Sequence, residues 1–253
     1  NNDQSLPLFN NATQAQKAPG STFKPIIAVA ALEEGVIGLN DTVNCTGVYK
    51  EITPSLKCWI YPGQHGPLDV VHGIQNSCNV FFSEMGHRLS MDENGNYSPE
   101  LGIEKIRKYA SMFGLDETSG IEIAEREPQM TTEKPEASSI GQGKNSYSNV
   151  QLSRYITAVA NKGTVYKLSL LDKMTDSQGN LLKDFTPEVT GHVDIADSTW
   201  DAIILVVSDA QTLAGKIKIL FLIPTLPSGL LYPQKVIFSI LNFLLSSYIP
   251  YFK

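Results

Sequence analysis

A serine and a lysine three positions apart, Ser21 and Lys24, are the residues best placed in this sequence for covalent chemistry. Acyl transfer by a serine needs a base close to the hydroxyl. At the start of a helix, residues i and i+3 share one face. A buried lysine loses hydration, which lowers its pKa and brings the neutral amine within reach. Helix starts also leave backbone N–H groups unpaired, and one beside Ser21 can serve an oxyanion. The S-x-x-K spacing alone is weak, since it arises by chance about once per chain of this size. Here it occurs once, between a Pro-Gly turn and an apolar helix.

A second set is Ser77-Cys78-Asn79. A hydroxyl and an amide at i and i+2 of a short turn can point into one cleft. The hydroxyl can relay a proton, and the amide can hold a substrate peptide group. The same two residues also serve as ordinary helix caps, so the set gains meaning only in combination.

The elements that must position these groups can be read from the pattern. A helix is expected from Ser21 or Thr22 to Glu34, stopped by Gly35, with Pro25 in its first turn. Every residue from Pro25 to Leu32 is apolar, so this helix should be buried on all sides. A second helix is expected from Leu68 toward Ile74, with Ser77 at its end, and a third from Val80 to Leu89. Leu101 to Phe113 reads as an amphipathic helix stopped by Gly114. Ser148 or Asn149 caps another that ends at Asn161-Lys162-Gly163. Residues 164–174 and 180–185 read as a hairpin around 177–180, and Ser198 as the cap of a last helix from Thr199.

Bulk properties exclude several classes. The chain of 253 residues has a net charge of -6 and no basic run, so no nucleic-acid partner is expected. It opens on polar residues, without a signal peptide or an N-terminal span. Cys45, Cys58 and Cys78 give no zinc framework, and His65, His72, His87 and His192 add none. His65 and His72 each precede a glycine, which suggests turns. Cys45 and Cys58 read equally well as a disulfide or as two small buried thiols. No metal and no organic cofactor is implied. Residues 217–253 are rich in Ile, Leu and Phe, but their longest stretch without Pro or charge is Val236 to Ile249, 14 residues. A membrane span needs about 20. The boundary is drawn at 202, with residues 1–202 a catalytic core and 203–253 an atypical apolar tail.

Three blocks together resemble the class B, monofunctional penicillin-binding proteins. Ala18-Pro19-Gly20-Ser21-Thr22-Phe23-Lys24-Pro25 is similar to their nucleophile segment. His65-Gly66 through Ser77-Cys78-Asn79 to Phe82 is similar to their second motif. Ile140-Gly141-Gln142-Gly143, Gln151-Leu152 and Ala160-Asn161-Lys162-Gly163 are similar to the segment before their third motif. The resemblance covers roughly residues 1–200. It implies the α/β fold of penicillin-binding proteins and serine β-lactamases, an antiparallel sheet flanked by helices with a helical subdomain, here incomplete. It implies Ser21 as nucleophile, Lys24 as base, Ser77 as proton relay and Asn79 as a substrate-orienting group. The implied substrates are peptidoglycan stem peptides, with β-lactams as mimics. The implied setting is the outer face of the bacterial plasma membrane, with cell-wall synthesis proteins as partners and an N-terminal anchor that this chain does not include.

The family's Lys-Thr-Gly or Lys-Ser-Gly is missing. The nearest counterpart is Ala214-Gly215-Lys216, but Ile217 has no hydroxyl and Lys218 stands where glycine is expected. Lys216 is therefore not counted as a site residue, and weak or absent transpeptidation is expected. The alternatives are a serine β-lactamase and a non-catalytic β-lactam sensor or relic.

Overall fold

The computed structural model describes residues 9–208. Its centre is α1 (Lys24–Glu33), whose residues from Ile26 to Ala31 are at most 1% exposed. A helix without a polar face can only sit where other elements surround it, and α1 lies among α2 (Val70–Gln75), α3 (Asn79–Leu89), α4 (Pro99–Met112) and α7 (Asp197–Ser208). Each of Ile26, Ile27 and Val29 contributes about 1.5–3 kcal/mol by leaving water. The helix ends at Gly35, whose φ of 66° closes the last turn. Two carboxylates at that end anchor neighbours. Glu33 accepts from the Ala196 N–H and the Thr199 hydroxyl, and Glu34 accepts from Lys108 Nζ and the Tyr109 hydroxyl.

The strands are short and antiparallel. β1 (Gln16–Lys17) pairs with β6 (Tyr147–Ser148), β2 (Val43–Cys45) with β5 (Gly66–Leu68), and β3 (Val48–Tyr49) with β4 (Leu56–Lys57). β7 (Thr164–Tyr166) pairs with β10 (Val189–His192), and β8 (Lys173–Thr175) with β9 (Leu181–Asp184). The remaining helices are α5 (Pro135–Ser138) and α6 (Asn149–Ala160). Among the described residues no helix is long and apolar enough to cross a membrane.

Most sequence expectations are met within two or three residues, α6 among them, which starts on a capping box formed by Ser148 and Gln151. Four details differ. The residues around Ser21 form a 3-10 turn, Gly20–Phe23, and the α-helix begins only at Lys24. The expected hairpin splits. The turn at 177–180 joins β8 to β9, while β7 finds its partner beyond β9, in β10, which packs Val165 into the core. The last helix starts at Asp197, so Ser198 lies inside its first turn and Glu33 of α1 takes the nearby N–H. His72 lies inside α2, bonded to Asp69, and not in a turn. The proposed boundary at 202 falls within α7, and Lys216 and the apolar stretch beyond 208 lie outside the described residues.

Candidate functional site

Three segments place Ser21. Thr22 Oγ1 donates to Pro19 O at 2.7 Å, and the buried Tyr155 hydroxyl donates to Thr22 O at 3.0 Å. From the other side the Gly20 N–H donates to Gly141 O at 3.0 Å. The approach at Gly141 is so close that a Cβ there would lie 2.0 Å from Gly20 O, and its φ is 71°. Only glycine satisfies both conditions. Gly141 belongs to the glycine-rich block singled out in the sequence, but its place directly behind the Ser21 turn was not legible there.

Lys24 is 1% exposed, whereas Ser21 stands at the surface. Lys24 Nζ lies 3.0 Å from Ser21 Oγ, 2.7 Å from Ser77 O, 3.0 Å from Ser77 Oγ and 2.8 Å from Asn79 Oδ1. Ser77 Oγ lies 2.9 Å from Ser21 Oγ. The four sequence-selected residues thus meet at one amine. Burial pulls the Lys24 ammonium down from 10.5 to about 8. None of the ion pairs among the described residues involves it. The oxygen set also suits a neutral amine. Two neighbours, Ser77 O and Asn79 Oδ1, only accept. The other two are hydroxyls that can donate back. A neutral amine has two N–H donors and one lone pair, which matches two carbonyls and one donating hydroxyl. In that state the lone pair can receive the Ser21 proton.

The Ser77–Asn79 turn holds this arrangement under backbone strain. Ser77 has a φ of 47°, a left-handed conformation that is costly for a residue with a Cβ. It lets Ser77 present both its carbonyl and its hydroxyl to Lys24. Asn79 is tied to β4 by Nδ2 donating to Lys57 O at 3.3 Å. Trp59 Nε1 donates to Asn76 O at 2.8 Å, so the loop after β4 is pinned to the same turn.

Cys78, between Ser77 and Asn79, faces the other way. Its sulfur accepts from the Phe81 N–H as the cap of α3 and lies 3.9 Å from Cys58 Sγ. Cys45 ends β2 opposite Gly66, and His65 Nδ1 lies 3.7 Å from Cys58 Sγ. All three thiols are free and buried, which decides the open question of Cys45 and Cys58 in favour of thiols. The four ligand atoms of Cys45, Cys58, His65 and Cys78 lie within 4.8 Å of one another. This corrects the expectation that the cysteines and histidines form no metal framework: four elements far apart in sequence converge on one point. The set fits a structural zinc ion by three observations. Three sulfurs and one imidazole are a tetrahedral zinc complement, and His65 Nε2 is buried without a partner. Zn–S bonds of about 2.3 Å also imply a sulfur–sulfur edge of about 3.8 Å, close to the 3.9 Å found. The Cys78 S–H pulls the Cys58 thiol below its ordinary pKa, and that contact together with burial pushes Cys78 up.

Comparison with known proteins bears on this geometry. The chain matches the penicillin-binding-protein transpeptidase domain family over residues 1–216. Among curated relatives it is 28% identical over 226 residues to peptidoglycan D,D-transpeptidase MrdA of Escherichia coli K12, covering 79% of this chain and 32% of the relative. It is 31% identical over 156 residues to stage V sporulation protein D of Bacillus subtilis, covering 58% and 22%. The chain thus spans about a third or less of these relatives' length. Among solved structures, a chain of a peptidoglycan synthase complex superposes with a TM-score of 0.68 at 23% identity, covering 81% of this chain and 34% of that one. Penicillin-binding protein A of M. tuberculosis, solved as a ceftriaxone acyl-enzyme complex, superposes at 0.65 and 19% identity, covering 81% of this chain and 45% of that one.

Proposed function

The chain belongs to the penicillin-binding-protein transpeptidase family, and from that premise we propose that it is the core of a peptidoglycan D,D-transpeptidase domain acylated at Ser21. The observation that carries the reading is the Lys24 amine held among Ser21 Oγ, Ser77 Oγ and two carbonyl oxygens. Neutral Lys24 takes the Ser21 proton as Oγ attacks the carbonyl between two D-alanines of a stem peptide. A backbone N–H at the Ser21 turn stabilises the developing oxyanion. Ser77, in contact with both Ser21 and Lys24, passes a proton to the departing D-alanine amine. Asn79 uses its amide to orient the substrate. An amine of a second stem peptide then takes the acyl group. β-Lactams acylate the same serine because their strained amide stands in for the peptide bond. These steps use hydroxyls, an amine, the Asn79 side-chain amide and backbone groups.

The substrate carboxylate has no Lys-Thr-Gly to bind it in this sequence. We therefore expect acylation by β-lactams to persist while transfer between stem peptides is weak or absent. The likeness to a chain of a peptidoglycan synthase complex supports cell-wall synthesis proteins as partners, at the outer face of the plasma membrane. The test is labelling with a fluorescent penicillin. The native chain should take up the label and Ser21→Ala should not. Labelling that survives Ser21→Ala would overturn the assignment of the nucleophile. D-Alanine release from a pentapeptide measures the second half of the reading, and rapid nitrocefin turnover would favour a β-lactamase instead.

A further inference from the structure

The thiol cluster shares a turn with the catalytic groups, yet the proposed mechanism uses none of its sulfurs. We propose that Cys58 and Cys78 are an oxidisable pair, closed to a disulfide by exchange with a low-molecular-weight disulfide, and that this bond slows acylation at Ser21. Their sulfurs lie 3.9 Å apart. A disulfide needs about 2.05 Å, so the sulfurs must approach by about 2 Å, a distance that side-chain rotation and a small loop shift supply. The two partners sit on different elements. Cys78 is fixed at the start of α3 by its bond from the Phe81 N–H. Cys58 lies just after β4, in a loop that runs to β5 and carries the exposed Trp59 and Tyr61. All three thiols are buried, so exchange requires the loop after β4 to open, and that loop carries Cys58. Exchange therefore begins at Cys58.

The reaction balances as two displacements. The Cys58 sulfur loses its proton and attacks the donor disulfide, which breaks and releases one thiol, leaving Cys58 in a mixed disulfide. The Cys78 sulfur then attacks the Cys58 sulfur, loses its proton and expels the second donor thiol. The two protein thiols are oxidised by two electrons, and the donor disulfide is reduced to two thiols that carry the two protons. Cys45 remains a thiol beside the new bond. An external dithiol reopens it by the same exchange run in reverse, taking up the disulfide itself.

The consequence follows from the alternation along the turn. Ser77 O and Asn79 Oδ1, on either side of Cys78, lie 2.7 and 2.8 Å from Lys24 Nζ. Closing the bond draws the Cys58 segment inward, and with it Lys57, whose carbonyl accepts from Asn79 Nδ2, and Trp59, which donates to Asn76 O, so the turn that holds both is displaced. Displacements of about 1 Å at a catalytic group can cost about a hundredfold in rate. The effect on acylation rests on the transpeptidase reading; the disulfide itself does not. The same sulfurs cannot bind zinc and pair with each other, so zinc should protect them.

The test uses the whole chain, stripped with a chelator and then incubated with oxidised glutathione, with and without prior zinc loading. After an acid quench, free thiols are alkylated and the digest is read by mass spectrometry. The expected result is loss of two of three thiols, a peptide cross-linked through Cys58 and Cys78, slower oxidation in the zinc-loaded sample, and reversal by dithiothreitol. Fluorescent-penicillin labelling should slow by about tenfold to a hundredfold on oxidation and recover on reduction. Three thiols still free after oxidation, or a cross-link through Cys45, would overturn the pair. A labelling rate unchanged in the cross-linked chain would overturn its effect on the site. If even the reduced chain takes no label, the transpeptidase reading fails while the thiol count still decides the disulfide. Cys58→Ser should show no cross-link and no oxidant effect on labelling. The native chain alone suffices should that variant not fold.

Discussion

The turn Ser77-Cys78-Asn79 separates two regions of opposite character. On one side Lys24, Ser21, Ser77 and Asn79 form a polar corner that opens to solvent at Ser21. On the other, Cys45, Cys58, Cys78 and His65 form a nearly closed one. The first sets two hydroxyls against an amine whose charge is marginal. The second is built for holding its shape. The lesson of the difference is that three consecutive residues can serve both ends, because the left-handed Ser77 turns its own groups one way and leaves Cys78 facing the other.

Several substitutions would break or sharpen this contrast. The largest effect is expected from Lys24→Arg, which keeps the charge but cannot give it up. Acylation should fall by about 10²–10⁴-fold, measured as the second-order rate of penicillin labelling, while the thiol count stays at three. Next comes Gly141→Ala. Its Cβ would meet the Gly20 carbonyl at 2.0 Å, and its φ of 71° disfavours any side chain. It should lower stability by about 1–3 kcal/mol and slow labelling, both readable by thermal denaturation and by fluorescence. Zinc should act on the other region alone. At a hundredfold excess over its Kd it should add about 2.7 kcal/mol, or about 5–10 °C in Tm. Cys78→Ser should weaken that shift strongly, with one metal per chain in the native protein by elemental analysis.

The pH dependence tests the polar corner directly. The folded pKa of Lys24 is depressed to about 8 from 10.5. Labelling by a β-lactam should therefore rise about tenfold per pH unit below 8 and level off above it. The sign for stability follows from the same shift. Between pH 8 and 10.5 the unfolded chain holds the proton and the folded chain does not, so this group makes the fold more stable as pH rises through that window. A labelling profile flat from pH 6 to 9 would show that the amine is not the base. The smallest effect separates strain from chemistry. Ser77→Gly should be about 1 kcal/mol more stable than Ser77→Ala, because glycine accepts a φ of 47° without penalty. Both lose the Ser77 hydroxyl alike.

The sequence by itself determined the polar corner. An uninterrupted apolar run from Pro25 to Leu32 can only be a central helix, and it carries Lys24 into the core at its first turn. Ser21 and Lys24 are local neighbours, so their contact was legible from spacing alone, as were the ends of α1, α4 and α6 at glycines or at Asn161-Lys162-Gly163. The exchange of partners that pairs β7 with β10, and the place of Gly141 behind Ser21, were not, because strand pairing and backbone approach depend on residues far away in the chain. The thiol cluster shows the limit most clearly. Its ligands are 13, 7 and 13 residues apart, a spacing that no short turn or single helix can close. Only the pairing of β2 with β5, the loop after β4 and the start of α3 bring them to one point. Local chemistry is written in local spacing, whereas a site assembled from four separate elements exists only once the core has packed.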